Sequence, residues 1–384
     1  MSQWMNVTFL GTSSGGGPSD SRNCSSLVLD IVGDGSLWMV DCAEGTLRQF
    51  LLQPSKPNTP AVKASRVTIV FITHMHADHI MGLVTLLRDV LGIHDPNGIP
   101  ASSKPPKIEL YGPAGLRAFV RSNLILTRTR TADAYVVHEL LSPTDKITPC
   151  TPDARHSSEA PGRDLLCGKD GFWMNIATKR SGRSQVHVQA GPIIHRDPCI
   201  GYVFHELDPS PGEPFPRLPR KLVVLGDTSS PSALTPLIAK TPGPVSLLIH
   251  EATDAHIPVT VDPRLGKRSP ALVQSKVVER GHSTPEQAGA CAGLWGAERL
   301  VLNHIGARFP GPSHRAPQDK RRRLAVLHEM ERQATEAWTQ TACIIPGRGS
   351  DTNTTPARRA MTAYDFLGVS VPVQPLLSPP AGTS

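Results

Sequence analysis

The residues best suited to chemistry in this sequence lie together at Thr73-His74-Met75-His76-Ala77-Asp78-His79. Three imidazoles and one carboxylate within six residues form a ligand set for a borderline divalent ion such as zinc. Core packing has no use for that density of nitrogen donors. One zinc needs about three or four protein ligands, so this stretch alone offers a full set. Elsewhere, apolar runs end in Asp227, His250 and His304, as another ends in His74, so several polar groups are expected on one rim of a sheet. A bridging carboxylate and two further histidines would turn one ion into a pair about 3.5–4 Å apart, able to neutralise a phosphodiester and to lower the pKa of water to roughly 7. Each residue also has a plainer reading: Asp227, before Thr228-Ser229-Ser230, as a turn cap, and His304 as a strand-end histidine bonded to backbone. A metal pair lacks a proton donor for the leaving oxygen. His282, in Gly281-His282-Ser283-Thr284-Pro285 and outside the apolar strands, is the candidate general acid, with Glu251 beside His250 to orient it.

These residues need elements to hold them. Val67 to Ile72 reads as a buried strand, and Ile80, Leu83, Val84, Leu87 and Leu91 form the stripe of an amphipathic helix. The His/Asp cluster thus falls at the carboxyl end of a strand, where open α/β folds bind ligands. Upstream, Asn6 to Leu10 is a strand, and Leu27–Asp30 with Leu37–Asp41 reads as a hairpin around Gly33-Asp34-Gly35. The Gly/Ser-rich loop from Thr12 to Gly17 either cradles phosphate through its N–H groups or simply links strands. A helix runs from Asp41 to Phe50 until the Pro-rich stretch 54–60, and Lys107–Tyr111 is a strand whose turn, Gly112 to Leu116, opens another helix. Residues 142–171, rich in Ser, Pro, Asp and Gly without periodicity, read as a long mobile loop. Further strands are expected at Gln185–Ala190, Gly201–Phe204, Leu222–Asp227, Val245–Ile249, Leu300–Leu302 and Val369–Val371, with helices from Pro285 and through Lys320–Trp338. The segment Asp208 to Pro219 carries five prolines and should hold no regular structure.

Bulk properties fit this α/β reading. A chain of 384 residues, 39% hydrophobic, can bury a large core as one domain or two, and the spread of motifs favours one domain over 1–372 with a disordered tail at 373–384. The net charge of +7 and pI near 9.1 suit a polyanionic partner. Lys320-Arg321-Arg322-Arg323 and the smaller cluster of Lys179, Arg180 and Arg183 are either nucleic-acid contacts or solvated faces. No apolar run is long enough for a membrane span, and the N-terminus lacks the pattern of a signal peptide, so an intracellular protein is expected. Seven cysteines without a CxxC pair read as reduced thiols.

Taken together, the motifs resemble the RNase Z (tRNase Z, tRNA 3′-processing endoribonuclease) branch of the metallo-β-lactamase superfamily. The resemblance rests on Phe9-Leu10-Gly11-Thr12, Arg22-Asn23 with Ser25-Ser26, Asp41-Cys42-Ala43-Glu44-Gly45-Thr46, the His74–His79 cluster and Tyr111-Gly112-Pro113. It continues through Val137-His138-Glu139-Leu140, His195 with Gly201-Tyr202, Gly226-Asp227-Thr228, His250-Glu251-Ala252-Thr253, Gly281 to Thr284, Leu302-Asn303-His304 and Ala363-Tyr364-Asp365-Phe366. The metal cluster alone marks the superfamily. The stretches at Asp41–Thr46, His250–Thr253 and His282–Thr284 narrow it to RNase Z.

The resemblance implies an αββα sandwich, two mixed sheets with helices on the outer faces. It implies two zinc ions per chain, one held by His74, His76 and His195 and one by Asp78, His79 and His304, bridged by Asp227. Asp78 would help deprotonate the attacking water and His282 would protonate the leaving oxygen. Arg22, Asn23, Ser283 and Thr284 are the implied substrate contacts, precursor tRNA the substrate and a homodimer the assembly. Cleavage would leave a 3′-hydroxyl on the tRNA and a 5′-phosphate on the trailer. The chain departs from the family in three places. The interval from His205 to Lys221 is too short for the usual protruding arm that grips tRNA, with Arg217, Arg220 and Lys221 as a possible remnant. Asp20 stands in the Pro18–Asn23 loop where many relatives have lysine, and 142–171 resembles an insertion. The short interval keeps open an alternative in which the same metal chemistry serves another RNA or a small nucleotide diester.

Overall fold

A computed structural model describes residues 4–55, 61–181, 184–207, 217–312, 319–344 and 358–375. The first half runs β1 (Trp4–Gly11), β2 (Ser13–Ser14), β3 (Ser26–Asp30), β4 (Leu37–Val40), α1 (Thr46–Leu52), β5 (Val67–Phe71), α2 (Ala77–Ile80) and α3 (Leu83–Val90). It goes on through β6 (Pro106–Pro113), α4 (Leu116–Leu126), β7 (Ala134–Leu141), β8 (Glu159–Ala160) and β9 (Asp164–Leu166). The second half runs β10 (Trp173–Ser181), β11 (Ser184–Ile193), β12 (Cys199–Glu206), β13 (Arg217–Leu218), β14 (Lys221–Leu225), α5 (Thr235–Lys240), β15 (Val245–Glu251), α6 (Pro270–Glu279) and α7 (Pro285–Trp295). It closes with β16 (Leu300–Asn303), β17 (Ile305–Gly306), α8 (Lys320–Ile344), β18 (Met361–Thr362), β19 (Gly368–Pro372) and β20 (Gln374–Pro375).

The strands form a nine-stranded mixed sheet, β19-β1-β3-β4-β5-β6-β7-β8 with β9 also on β7, and a seven-stranded sheet, β10-β11-β12-β14-β15-β16-β18. The alternate residues of each face one another across a common core that extends from Met5 to Val371. Trp38 and Phe71 from one sheet meet Phe204 from the other, the Phe71 and Phe204 rings 5.2 Å apart and edge-on. The outer face of the first sheet packs on α3 and α4 through Leu83, Leu87, Val120 and Leu124, and that of the second on α7 and α8 through Ala292, Trp295, Met330 and Trp338. This is the expected αββα sandwich. The two outer helices α7 and α8 lie so close that a Cβ at Gly289 would sit 2.0 Å from Ala334 O.

Three expectations change. Residues 142–171 are not structureless: β8 and β9 extend the sheet in parallel beside β7, and Arg121 clamps Glu159 with two 2.8 Å hydrogen bonds. Strands of two and three residues leave no period in the sequence, so only tertiary pairing reveals them. Second, the strand expected at Gln185–Ala190 runs from Ser184 to Ile193 and pairs with a preceding strand, β10 from Trp173, that was not expected, and α5 and α6 are additional. Third, irregular structure was expected through Pro219 and in the tail from Val373, yet Arg217–Leu218 pairs with Gln374–Pro375. Residues 208–216, 376–384, Arg183 and the Pro-rich 56–60 lie outside the described residues.

Candidate metal centre

Parallel strands β5, β14, β15 and β16 are apolar because both faces are covered, and their carboxyl ends deliver the polar groups. After β5, Thr73 is pinned by Asp41, whose Oδ1 accepts the Thr73 N–H at 2.8 Å, and His74 follows, fully buried. His76 precedes the first turn of α2, which carries Asp78 and His79. His195 sits in the β11–β12 turn, Asp227 just past β14, and His304 past β16 in a left-handed conformation at φ 52°.

These residues converge. His74, His76, His195 and Asp227 form one potential ligand group, Asp78, His79 and His304 a second, and Asp227, His282 and His304 a third, each with its ligand atoms within 4.8 Å of one another. Asp227 stands between the first two: its Oδ2 is 3.7 Å from His74 Nε2, while its Oδ1 is 3.6 Å from His79 Nε2. The arrangement of nitrogens tests whether a cation belongs there. His76 Nε2 is 2.7 Å from Asp197 and His195 Nδ1 is 2.7 Å from Gly281 O, so the ring hydrogens are drawn to those acceptors. The remaining lone pairs of His76 Nδ1 and His195 Nε2 then face each other at 3.4 Å, with His74 Nε2 3.0 Å from His76 Nδ1. Lone pairs so placed repel unless a cation lies among them. The donor set therefore fits zinc.

Each ligand ring is oriented from behind. His79 Nδ1 lies 2.7 Å from Asp41 Oδ2, His74 Nδ1 3.0 Å from Thr73 Oγ1, and His304 Nδ1 3.0 Å from Thr253 Oγ1. Asp41, Thr253 and Asp197 were not singled out from the sequence in these roles. Asp41 carries the same signal as Asp227, an acid at the end of an apolar strand. Burial opposes charge on His79, but Asp227 and Asp41 together hold its pKa well above the imidazole range. Burial, joined by the neighbouring His79, pushes His74 well below it. Burial works against the Asp78 carboxylate too, yet the His304 hydrogen bond and charge keep its pKa low. Gly15 of the Gly/Ser-rich loop donates its N–H to Asp78 Oδ2 at 3.1 Å, so that loop meets the site directly.

His282 follows α6 through Gly281, whose φ of 78° suits glycine. Its Nδ1 is 3.1 Å from Glu251 Oε1, which also accepts the N–H groups of Thr228 and Ser283. Burial disfavours charge on His282, but the hydrogen bond to Glu251 and its charge outweigh it and raise the pKa.

Other candidates are placed differently. Arg22 is 2% exposed, its Nε bonded to Phe309 O and its Nη1 to Thr12 Oγ1 and Ala363 O. It braces the Pro18–Asn23 loop from inside, with burial lowering its pKa to about 10. Ser283 is buried with its hydroxyl on Thr228 O, and Thr284 caps α7 in a capping box with Gln287, so both shape the His282 loop instead of facing substrate. Asn23 is half-buried, its side chain donating to Glu44 O. His250 lies within β15, where its Nδ1 bonds to Glu251 O, and it joins none of the ligand groups. Arg220 is buried against Glu206 through two charge-assisted hydrogen bonds, and Lys221 is buried on the carbonyls of Ile238 and Thr241, so neither is a free remnant of an arm. Of the basic run, Arg323 is buried and Arg322 pairs with Asp262, leaving Lys320 and Arg321 exposed.

Comparison with known proteins agrees with this geometry. Residues 38–305 match the Beta-lactamase superfamily domain. The chain is 31% identical over 351 residues to the zinc phosphodiesterase ELAC protein 1 of Bos taurus, covering 79% of this chain and 87% of that protein. It is 31% identical over 327 residues to ribonuclease Z of Streptococcus sanguinis (strain SK36), covering 79% and 90%. Among solved structures, human tRNase Z, short form (ELAC1), superposes over 96% of this chain and 100% of its own, with 28% identity and a TM-score of 0.59. With that match across most of the chain and a metal-fitting cluster at the strand ends, the chain belongs to the ribonuclease Z family of the metallo-β-lactamase superfamily.

Proposed function

We propose that this chain is a zinc-dependent endoribonuclease that removes the 3′ trailer from precursor tRNA, leaving a 3′-hydroxyl on the tRNA and a 5′-phosphate on the trailer. The observation that carries the reading is the juxtaposition of Asp227, flanked by two ligand groups, with the His282–Glu251 pair, its Nδ1 3.8 Å from Asp227 Oδ2. His74, His76 and His195 would hold one zinc and Asp78, His79 and His304 the other, with Asp227 between. Bound zinc supplies positive charge for the nonbridging phosphate oxygens and lowers the pKa of water to about 7. Asp78, steadied by the Gly15 N–H, accepts the proton of the attacking water. Glu251 holds the His282 Nδ1–H, which leaves Nε2 to give a proton to the departing 3′ oxygen. Residues 1–372 act as one domain in this reading, and the assembly is a homodimer, with Leu51, Leu52 and Met81 as exposed apolar residues to cover. No helix among the described residues is long and apolar enough to cross a membrane, and the substrate is made inside the cell.

One observation favours a second reading. Arg220 and Lys221 serve the fold, so the short His205–Lys221 interval offers little to grip tRNA, and the same centre would then cleave another RNA or a small nucleotide diester. Zinc-loaded protein incubated with a precursor tRNA and, separately, with bis(p-nitrophenyl) phosphate decides between them. Precise release of the trailer at physiological salt is expected. Hydrolysis of the small ester alone would overturn the tRNA assignment.

A further inference from the structure

The second sheet carries a histidine pair that the chemistry of the strand-end centre does not use. His187 on β11 and His205 on β12 stand directly opposite each other in the antiparallel register, their rings 5.7 Å apart. Cross-strand neighbours hold their Cβ atoms about 4.5–5.5 Å apart, close enough for two imidazoles to share one ion. Ring pairs of the metal centre give the scale: His74 and His195 are 5.2 Å apart, His79 and His304 5.1 Å. His195 lies eight residues beyond His187, roughly 26 Å of strand, so the pair is a separate place. His205 is 3% exposed, and neither of its ring nitrogens has a hydrogen-bond partner among the described residues. A buried polar group left in that state is unfavourable until something ligates it.

The chemistry of the pair says what it takes. Burial lowers the pKa of His205, and His187 and Lys221 add to the shift against a weaker pull from the Glu206 backbone. Burial lowers that of His187 as well. An anion would need these rings protonated, whereas a transition metal ion binds them neutral. His187 is already set as a ligand would be. Its Nδ1 is 2.8 Å from Asn175 Oδ1, an acceptor that draws the ring hydrogen there and leaves the lone pair on Nε2. Asn175 reaches it from a bulge in β10, at φ 50°. The Gln185 amide lies 3.0 Å from His187 Nε2, and turning that amide over presents its oxygen as a third donor. Lys221, opposite His205 on β14, keeps its ammonium on the carbonyls of Ile238 and Thr241. Its charge opposes a cation held by charge alone, such as magnesium or calcium. Imidazole nitrogens with an amide oxygen suit copper(II) or nickel(II) instead. We propose that His187 and His205, with the Gln185 amide oxygen, form a further metal site, apart from the strand-end centre, for one copper(II) or nickel(II) ion. Bound there, the ion staples β11 to β12.

The test adds one equivalent of copper(II) to zinc-loaded full-length protein and records the electron paramagnetic resonance spectrum alongside the zinc content. A copper signal split by two ring nitrogens is expected, with the zinc of the strand-end centre retained. His187→Ala and His205→Phe should each weaken copper binding at least about tenfold, as the loss of a ligand demands. Hydrolysis of bis(p-nitrophenyl) phosphate should stay within about twofold in both, since neither residue belongs to the strand-end centre. His205→Phe keeps a ring of similar size in the buried position. If that variant does not fold, which the hydrolysis assay reports, His187→Ala decides by itself, because His187 is only half-buried. Copper bound with unaltered affinity in the variants overturns the site. So does copper that enters only in exchange for zinc, or that does not bind at all.

Discussion

The metal centre and the anchorage of residues 142–171 both bury charged side chains, and they resolve the cost of doing so in opposite ways. At the anchorage the charges cancel internally. Arg121 makes a forked pair with Glu159, and Arg117, fully buried, reaches Glu139 at 3.4 Å and Asp164 at 2.8 Å. At the centre, two acids and six histidines crowd together with ring nitrogens turned toward one another, an arrangement that fits cations. One region spends its ionic groups on holding a segment in place; the other keeps them uncommitted for a ligand. Substitutions should separate the two cleanly.

The largest effect is expected where one residue serves both ligand groups. Asp227→Ala removes the carboxylate whose two oxygens face His74 and His79. Zinc content should fall from two per chain to below one, with hydrolysis down by at least about 10³-fold, beyond the ~10²–10³ that one lost oxyanion donor costs. A variant that kept two zincs would refute the bridging role. His282→Ala should instead retain both metals and lose about 10²–10⁴-fold on RNA, the usual worth of a general acid. Because p-nitrophenolate leaves without a proton, the same variant should lose far less on bis(p-nitrophenyl) phosphate. Equal losses on both substrates, or loss of zinc, would remove His282 from the acid role.

On the other side of the comparison, Arg121→Ala leaves Glu159 buried without its partner. A cost of about 3–5 kcal/mol is expected from breaking such a pair. Urea denaturation should show it, limited proteolysis should open 142–171 first, and zinc content should stay at two per chain. Unchanged proteolysis would mean that the pairing of β8 and β9 with β7, not the ion pair, fixes the segment.

The same contrast explains what could be read from the sequence. The His74–His79 cluster is dense in sequence because a strand end and the following helix bring near neighbours into both ligand groups, so local pattern sufficed. Asp227 and His304 carried the shared signal of a polar residue closing an apolar run. His250 carried that signal too, but its place in the site depends on backbone direction: His304 turns at φ 52°, while His250 continues within β15. Arg22 was a substrate contact only by the family resemblance. Its burial under Phe309 and Ala363, some three hundred residues away, has no local trace. The anchorage of 142–171 was hidden for the same reason, since Arg121 and Glu159 are 38 positions apart and the strands they fix are too short to show a period.

Lys221 offers a third way of burying charge, on carbonyls with no counter-ion among the described residues, and gives the smallest expected effect. Its ammonium is held by the carbonyls of Ile238 and Thr241, 2.9 and 2.6 Å away, and burial lowers its pKa to about 8. An unfolded lysine titrates near 10.4. Between those values the unfolded chain binds the proton that the folded one has released, so the Lys221 contribution to stability rises with pH from about 8 to 10.4 and is lost again as pH falls through 8. Lys221→Met, of similar length and without charge, removes this dependence. The stability of the unaltered protein relative to the variant, from urea unfolding at pH 7.5 and pH 10, should therefore shift in favour of the lysine by roughly 1 kcal/mol, below the full 1.36 kcal/mol per pKa unit because water screens part of the charge. A pH-independent difference for Lys221→Met would mean that the lysine is neutral on folding at every pH tested or charged at all of them, and that the carbonyl pair alone satisfies it.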